Sequence, residues 1–311
     1  MLALCLTVWN RPDCLRGLLH SLCRVRGLQD WQLFVQLEPS ERQEELISIL
    51  QAAHLPCRVE LVCNAVRQGV RANPLQCLER AWKTGAKAFL LLEDDLELSA
   101  DALEFVLNSL QLTDWDIRYA CGNLHFSTCF NHAHLQGWNR ADAQSALVAM
   151  ETYFLSSLGL FFSRDQYERW IRVHWWDRGL GLRSFHGDRV SGWDCALNQA
   201  LLLGSRPCLQ SLLPRVRHCG IEGVHSDAVL HQMSYAHAGL HAGDVPLPEL
   251  QVYSLDRLNA GCPEAESWAV LLRLASQLWE LQRSSLLRQL ELARCGEQLK
   301  DLLGLAAADG S

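Results

Sequence analysis

Residues 88–98 read A-F-L-L-L-E-D-D-L-E-L, and this stretch constrains the fold of the chain more tightly than any other. Four apolar residues, Phe89, Leu90, Leu91 and Leu92, run directly into Glu93, Asp94 and Asp95. A short apolar run bounded by charge suits a strand buried on both faces of a parallel sheet. Such a strand delivers its last residues to the sheet's carboxyl edge, where open α/β sheets bind ligands. Adjacent carboxylates repel one another, and a hard divalent cation carrying phosphates is their usual partner. The plainer reading is an acidic helix start, where carboxylates suit the helix dipole; the buried strand and the sequence before it favour the ligand.

The sequence before the triplet alternates strand and helix. Leu2–Val8 reads as a first strand, with Asn10 able to cap and Pro12 suited to the first turn of a helix carrying Leu15, Leu18, Leu19 and Leu22. Trp31–Leu37 and Arg58–Cys63 read as further strands, with one helix opening at Ser40 and another running through Leu75, Leu78 and Trp82. This alternation implies βαβ units and a mostly parallel central sheet flanked by helices. Beyond the triplet, Ser99 can cap a helix with Leu103, Val106 and Leu110, and 117–121 reads as a strand. Residues 122–151 show no periodicity and suggest a long functional loop, in which His125, His132, His134 and Trp138 are candidate acceptor contacts. A strand over 158–163, a helix over 165–173, a helix opening at Trp193-Asp194 and extended chain over 206–216 follow. From Pro263 the chain is Leu-rich, with Leu271, Leu274, Leu278 and Leu281 at heptad spacing until the register slips at Ser284-Ser285. We expect two halves of one domain, 1–121 and 122–262, then a C-terminal helical extension, 263–311, able to pair two chains into a homo-oligomer.

Charge narrows the partners. Lys+Arg at 28 against Asp+Glu at 35 gives a net charge of -7, which argues against nucleic acid as a partner. Thirteen cysteines are an odd number and form no C-x-x-C pair, so reduced thiols in a cytoplasmic protein are the expectation. No basic region precedes the first apolar run, which reads as a strand and not a signal peptide, and no run approaches the ~20 residues of an integral membrane segment.

Taken in order, T-V-W-N-R-P-D, the N-x-x-x-x-G-V-x-x-N beginning at Asn64 and F-L-L-L-E-D-D-L-E resemble the nucleotide-sugar half of GT-A glycosyltransferases, which have a Rossmann-like α/β fold. They are most similar to the inverting protein-glycan N-acetylglucosaminyltransferases that carry an E-D-D metal motif. Leu158-Gly159-Leu160, Trp193-Asp194, Pro214-Arg215 and G-I-E-G-V-H-S from Gly220 resemble later segments of that family. The resemblance implies transfer of a sugar, with inversion, from a UDP-sugar such as UDP-N-acetylglucosamine to a hydroxyl of a glycan, glycolipid or glycoprotein acceptor. Asp95 would bind Mn²⁺ or Mg²⁺; Arg11, Glu38, Glu93, Asp94, Val224 and His225 would contact the donor, with His218 a further candidate at the diphosphate. Asp194 would be the catalytic base, with Asp177, which also follows a tryptophan, as competitor and Cys195 where the family has a second carboxylate. A sugar nucleotidyltransferase would require a Gly-rich loop where this chain has W-N-R-P-D. A catalytically inactive binding module would not need Asp194.

Overall fold

The computed structural model describes residues 1–125, 147–153, 155–177, 192–204, 206–221 and 239–254, with ten single residues between 277 and 295. Those ten are helical and all are exposed.

Strands β1 (Leu2–Val8), β2 (Trp31–Leu37), β3 (Arg58–Cys63) and β4 (Ala88–Glu93) run parallel in the spatial order β3-β2-β1-β4. Helices α1 (Pro12–Leu22), α2 (Gln43–Ala52) and α3 (Gly69–Lys83) connect them. Alternation along each strand divides the core between two faces. Leu4, Leu6, Leu90 and Leu92 pack with Leu15, Leu18 and Leu22 of α1 and with α2. Ala3, Cys5, Phe89 and Leu91 pack on the opposite face with Cys77, Leu78 and Ala81 of α3. Each such leucine contributes about 1.5–3 kcal/mol by leaving water. Both faces of β1 and β4 are therefore covered, which is why their sequences read as unbroken apolar runs.

Beyond β4 the direction alternates. A three-residue strand β5 (Leu96–Leu98) leaves the triplet, and α4 (Ala102–Leu110) follows. A single helical turn, α5 (Trp115–Arg118), takes the first two residues of the segment expected to be extended, and the strand β6 is displaced to Cys121–Asn123. Trp115 anchors that turn: its indole donates to Gln166 Oε1 at 3.0 Å and stacks on Phe161. Strand β7 (Val148–Thr152) begins inside the stretch expected to be loop, where Glu151 is buried beside Arg118 and Tyr119. His125 is buried at the far end of β6, whereas His132, His134 and Trp138 lie outside the described residues. With β8 (Leu160–Ser163), β9 (Cys208–Ser211) and β11 (Gln251–Tyr253), the described residues form a nine-stranded sheet in the order β11-β7-β9-β6-β8-β4-β1-β2-β3. β8 is antiparallel to β4 and β6, β7 is antiparallel to β9, and the other pairs are parallel. The mostly parallel α/β sheet flanked by helices is thus the fold, and β6 carries it across the expected 121/122 division.

After β8, Ser163 and Gln166 form a reciprocal capping box that opens α6 (Arg164–Gln166), which continues as a π-helical turn, Tyr167–Ile171, into α7 (Arg172–His174). Helix α8 (Trp193–Gly204) buries Leu197 and Leu201 on the α3 face. Two expected caps differ. Arg11, not Asn10, is the N-cap of α1, and Asp101, with Ser99 donating to its Oδ1 at 2.7 Å, precedes α4.

A separate antiparallel ribbon pairs β5 with β10 (Val216–His218). Backbone bonds splice it to the main sheet through one residue: Leu124 N donates to Gly159 O at 3.0 Å, and Leu124 O accepts from Arg215 N at 2.8 Å. Ser99 N then donates to Arg215 O at 3.0 Å, closing the row. Beneath it, the fully buried Arg215 guanidinium donates to Asp101 Oδ2 from Nε at 3.0 Å and from Nη2 at 2.8 Å, and lies over the Phe105 ring. Removing one partner of such a pair strands a buried charge. Asp101→Ala is expected to lower the unfolding free energy by about 3–5 kcal/mol in urea titration. Replacing both Asp101 and Arg215 with apolar residues should recover much of the loss.

Candidate functional site

The carboxyl ends of β1, β2, β3 and β4 share one edge, and the sequence-predicted donor residues that fall within the described chain converge there. β4 ends at Glu93, and the turn before β5 carries Asp94 and Asp95, each no more than 2% exposed. β1 runs one residue past its register with β4, so Trp9 N donates to Asp94 Oδ2 at 2.7 Å. Asn10 then turns through a positive φ of 49°, and Pro12 keeps Arg11 out of the helical region. That turn aims the Arg11 guanidinium back at the triplet, where Nη2 meets Asp94 Oδ1 at 2.8 Å and Nη1 binds Asp95 Oδ2.

The β5–β10 ribbon brings the second half of the site. Its register sets His218 against Leu96, one residue from Asp95, so His218 Nε2 lies 3.0 Å from Asp95 Oδ2. Cys219 N donates to Asp95 O at 2.7 Å. Gly220 follows where a Cβ would stand 2.5 Å from Asp95 Oδ2 and 2.9 Å from Arg11 Nη1, so only glycine lets the backbone pass. The sequence shows Gly220 as a loop glycine; the reason for it is this approach to Asp95. Val224 and His225 lie outside the described residues.

The charge balance is uneven. Burial, then the charge of Asp95, pushes Glu93 up to about 8, with Asp94 and Asp194 adding to the effect and Arg11 opposing it. Burial likewise raises Asp94 to about 7 against the pull of Arg11. At Asp95 burial is outweighed by the His218 hydrogen bond and by Arg11, which hold its carboxyl below the usual range. One guanidinium thus serves three carboxylates. Asp95 Oδ1 is buried with no hydrogen-bond partner among the described residues, and a buried oxygen of that kind is suited to a cation. No group of three His, Cys, Asp or Glu side chains able to hold a metal occurs among the described residues. A metal at the open Asp95 Oδ1 would have to bring oxygen ligands of its own.

Asp194 opens α8 next to Trp193, whose ring stacks on the buried Trp175 at 4.6 Å and an interplanar angle of 5°. Its charge reaches Glu93, and it hydrogen-bonds the Cys195 thiol, which burial and this carboxylate push up to about 12. Asp177 instead pairs with His174 Nδ1 at 2.6 Å near the surface. Glu38 ends β2 at the shared edge, but its carboxylate is engaged by the start of α3: Gln68 N donates at 2.9 Å, Gly69 N at 2.6 Å and Asn64 Nδ2 at 3.2 Å. Trp9, under the Arg67 guanidinium at 4.2 Å, joins the same edge and was not singled out from sequence.

No protein-family profile and no curated protein sequence matches the chain. Among solved structures it is similar to a mannosyltransferase of Pyrobaculum calidifontis in complex with GDP-mannose and Mn²⁺, at TM-score 0.44 and 13% identity over 69% of this chain and 57% of that one. Residues 1–349 of TarS from S. aureus give 0.45 and 11% over 67% and 57%. GalNAc-T7 with UDP, GalNAc and Mn²⁺ gives 0.44 and 11% over 70% and 44%. The chain spans little more than half the length of the first two. Likenesses this distant leave the family open and carry no inference about activity or about which residues act.

The raised carboxylates make a prediction for the ligand-free protein. Glu93 and Asp94 bind protons more tightly folded than unfolded, so their contribution favours folding at acid pH and is lost as pH rises from about 4 to about 8. Asp95, shifted the other way, contributes stability above its unfolded value and loses it only below about pH 4. Melting temperature followed across this range should fall less steeply toward pH 8 in Glu93→Gln than in the unsubstituted protein.

Proposed function

We propose that the chain is a metal-dependent glycosyltransferase that moves a sugar, with inversion, from a UDP-sugar such as UDP-N-acetylglucosamine to a hydroxyl of a glycan, glycolipid or glycoprotein. The observation that carries this reading is the buried, unpartnered Asp95 Oδ1 at the carboxyl edge of β4, with Arg11 and His218 on the other oxygen of the same carboxylate. A buried carboxylate oxygen left open beside a guanidinium, at the edge where α/β sheets bind ligands, suits a cation that carries a diphosphate better than it suits water.

In this reading Asp95 would hold Mn²⁺ or Mg²⁺, with Arg11 and His218 beside it to contact the donor diphosphate. When bound, the metal supplies Lewis-acid stabilisation of the departing nucleoside diphosphate. Glu93 and Asp94 lie toward ribose and sugar; Glu38, fixed at the entrance of α3, borders the base. Val224 and His225 contact the donor. Asp194 accepts the proton of the attacking hydroxyl as its oxygen bonds to the anomeric carbon and the sugar–phosphate bond breaks on the opposite side. Asp177 is the weaker candidate because His174 already engages its carboxylate. A cytoplasmic setting and self-association through the C-terminal helices complete the proposal. Among the described residues no helix is long and apolar enough to cross a membrane.

UDP with Mn²⁺ is expected to raise the melting temperature, and Asp95→Ala should abolish the rise; an undiminished shift in the variant would remove Asp95 from metal binding. A panel of nucleotide sugars tested for Mn²⁺-dependent hydrolysis should single out one UDP-sugar. On that donor Asp194→Asn should keep binding and lose turnover by about 10²-fold or more.

A further inference from the structure

We infer that Asn198 is a positioning residue for the proposed base Asp194, acting through a two-asparagine clamp on the backbone of Leu155 and Ser156; this rests on the transferase reading above. The Asn198 side-chain amide reproduces the pairing of a β-ladder: its Nδ2 donates to Leu155 O at 3.0 Å, and its Oδ1 accepts from Leu155 N at 2.8 Å. Asn123, fully buried at the end of β6, does the same for the next residue, donating to Ser156 O at 2.6 Å and accepting from Ser156 N at 3.0 Å. Four hydrogen bonds from two side chains thus fix two consecutive residues that belong to no strand.

The clamp joins the base-bearing helix to the triplet-bearing sheet. Asn198 lies four residues after Asp194 in α8, so the two share one helix face a turn apart. Leu155 and Ser156 lead into β8, which pairs with β4, the strand that ends in Glu93. Asn123 comes from β6, the strand on the other side of β8. A helix packed only through Leu197, Ala200 and Leu201 can rotate about its axis at small cost, because apolar contacts have no direction. The paired amide bonds have direction, and they hold the Asp194 face of α8 toward the sheet edge where its charge reaches Glu93. Trp193 stacked on Trp175 holds the helix start from the other side.

The test uses the full chain, with UDP-N-acetylglucosamine and Mn²⁺ as probes. Asn198→Ala deletes both clamp bonds; Asn198→Asp keeps the acceptor and loses the donor. Both should retain the UDP/Mn²⁺ melting shift and a donor KM within about twofold, while kcat for Mn²⁺-dependent hydrolysis falls about 10- to 100-fold, the scale of loss for a group displaced by about 1 Å. Combined with Asp194→Asn, neither should lower the residual rate further, since an effect exerted through Asp194 vanishes with it. A kcat within twofold of the unsubstituted protein, or losses that multiply with Asp194→Asn, would overturn the inference. So would variants that lose the UDP/Mn²⁺ shift, because Asn198 would then serve folding alone. If the unsubstituted protein turns over no nucleotide sugar, the transferase reading itself fails and the inference with it.

Discussion

Everything at the carboxyl edge of this sheet answers to one electrostatic constraint: Glu93, Asp94 and Asp95 are consecutive, and two of them are sealed from water. Charge removed from water must be paired or neutralised. Arg11 pairs with two of the carboxylates, the Trp9 backbone N–H supports one, and His218 supports another. Even so, Glu93 and Asp94 hold their protons near neutrality. The arrangement is thus deficient in positive charge.

The deficit also explains the architecture around it. Arg11 must arrive from β1, so the β1–α1 turn bends through Asn10 and is fixed by Pro12. His218 must arrive from far along the chain, so β5 and β10 form a ribbon of their own whose register sets the imidazole. Gly220 must pass without a side chain because Asp95 and Arg11 already fill the space. Asp194 approaches on a helix whose orientation toward the edge depends on directional bonds, since its apolar face alone does not specify an angle.

The N-terminal half was legible because both faces of its strands are buried and their connecting helices are amphipathic, so period and composition agree. Arg11, Glu93, Asp94 and Asp95 could be read from their neighbours, lying at the ends of elements those neighbours define. The position of Glu38 was legible, but its attachment to Gln68 and Gly69 was not, because that capping spans thirty residues and leaves no local pattern. The strand expected over 117–121 starts only at Cys121, because the contacts of Trp115 wind 117–118 into a helical turn that the alternation of Ile117 and Tyr119 does not reveal. β7 was missed because its apolar run closes a stretch otherwise rich in Gly, Asn and His, and β11 because it is only three residues long. Asn123 and Asn198 gave no signal, since an asparagine that bonds backbone looks in sequence like one that bonds water.

Leu124 carries a consequence of another kind. Its two backbone groups are the seam between the nine-stranded sheet and the His218 ribbon, with Gly159 on one side and Arg215 on the other. A ribbon of two three-residue strands is too short to persist alone. It persists through that seam, the Leu98 N bond to Ser21 Oγ and the burial of Leu96, Leu98 and Val216, and opening there would remove His218 and the Cys219 bond from Asp95. The His218 side of the Asp95 cluster is therefore a separable cooperative unit, able to dissolve as a partial unfolding before the domain does.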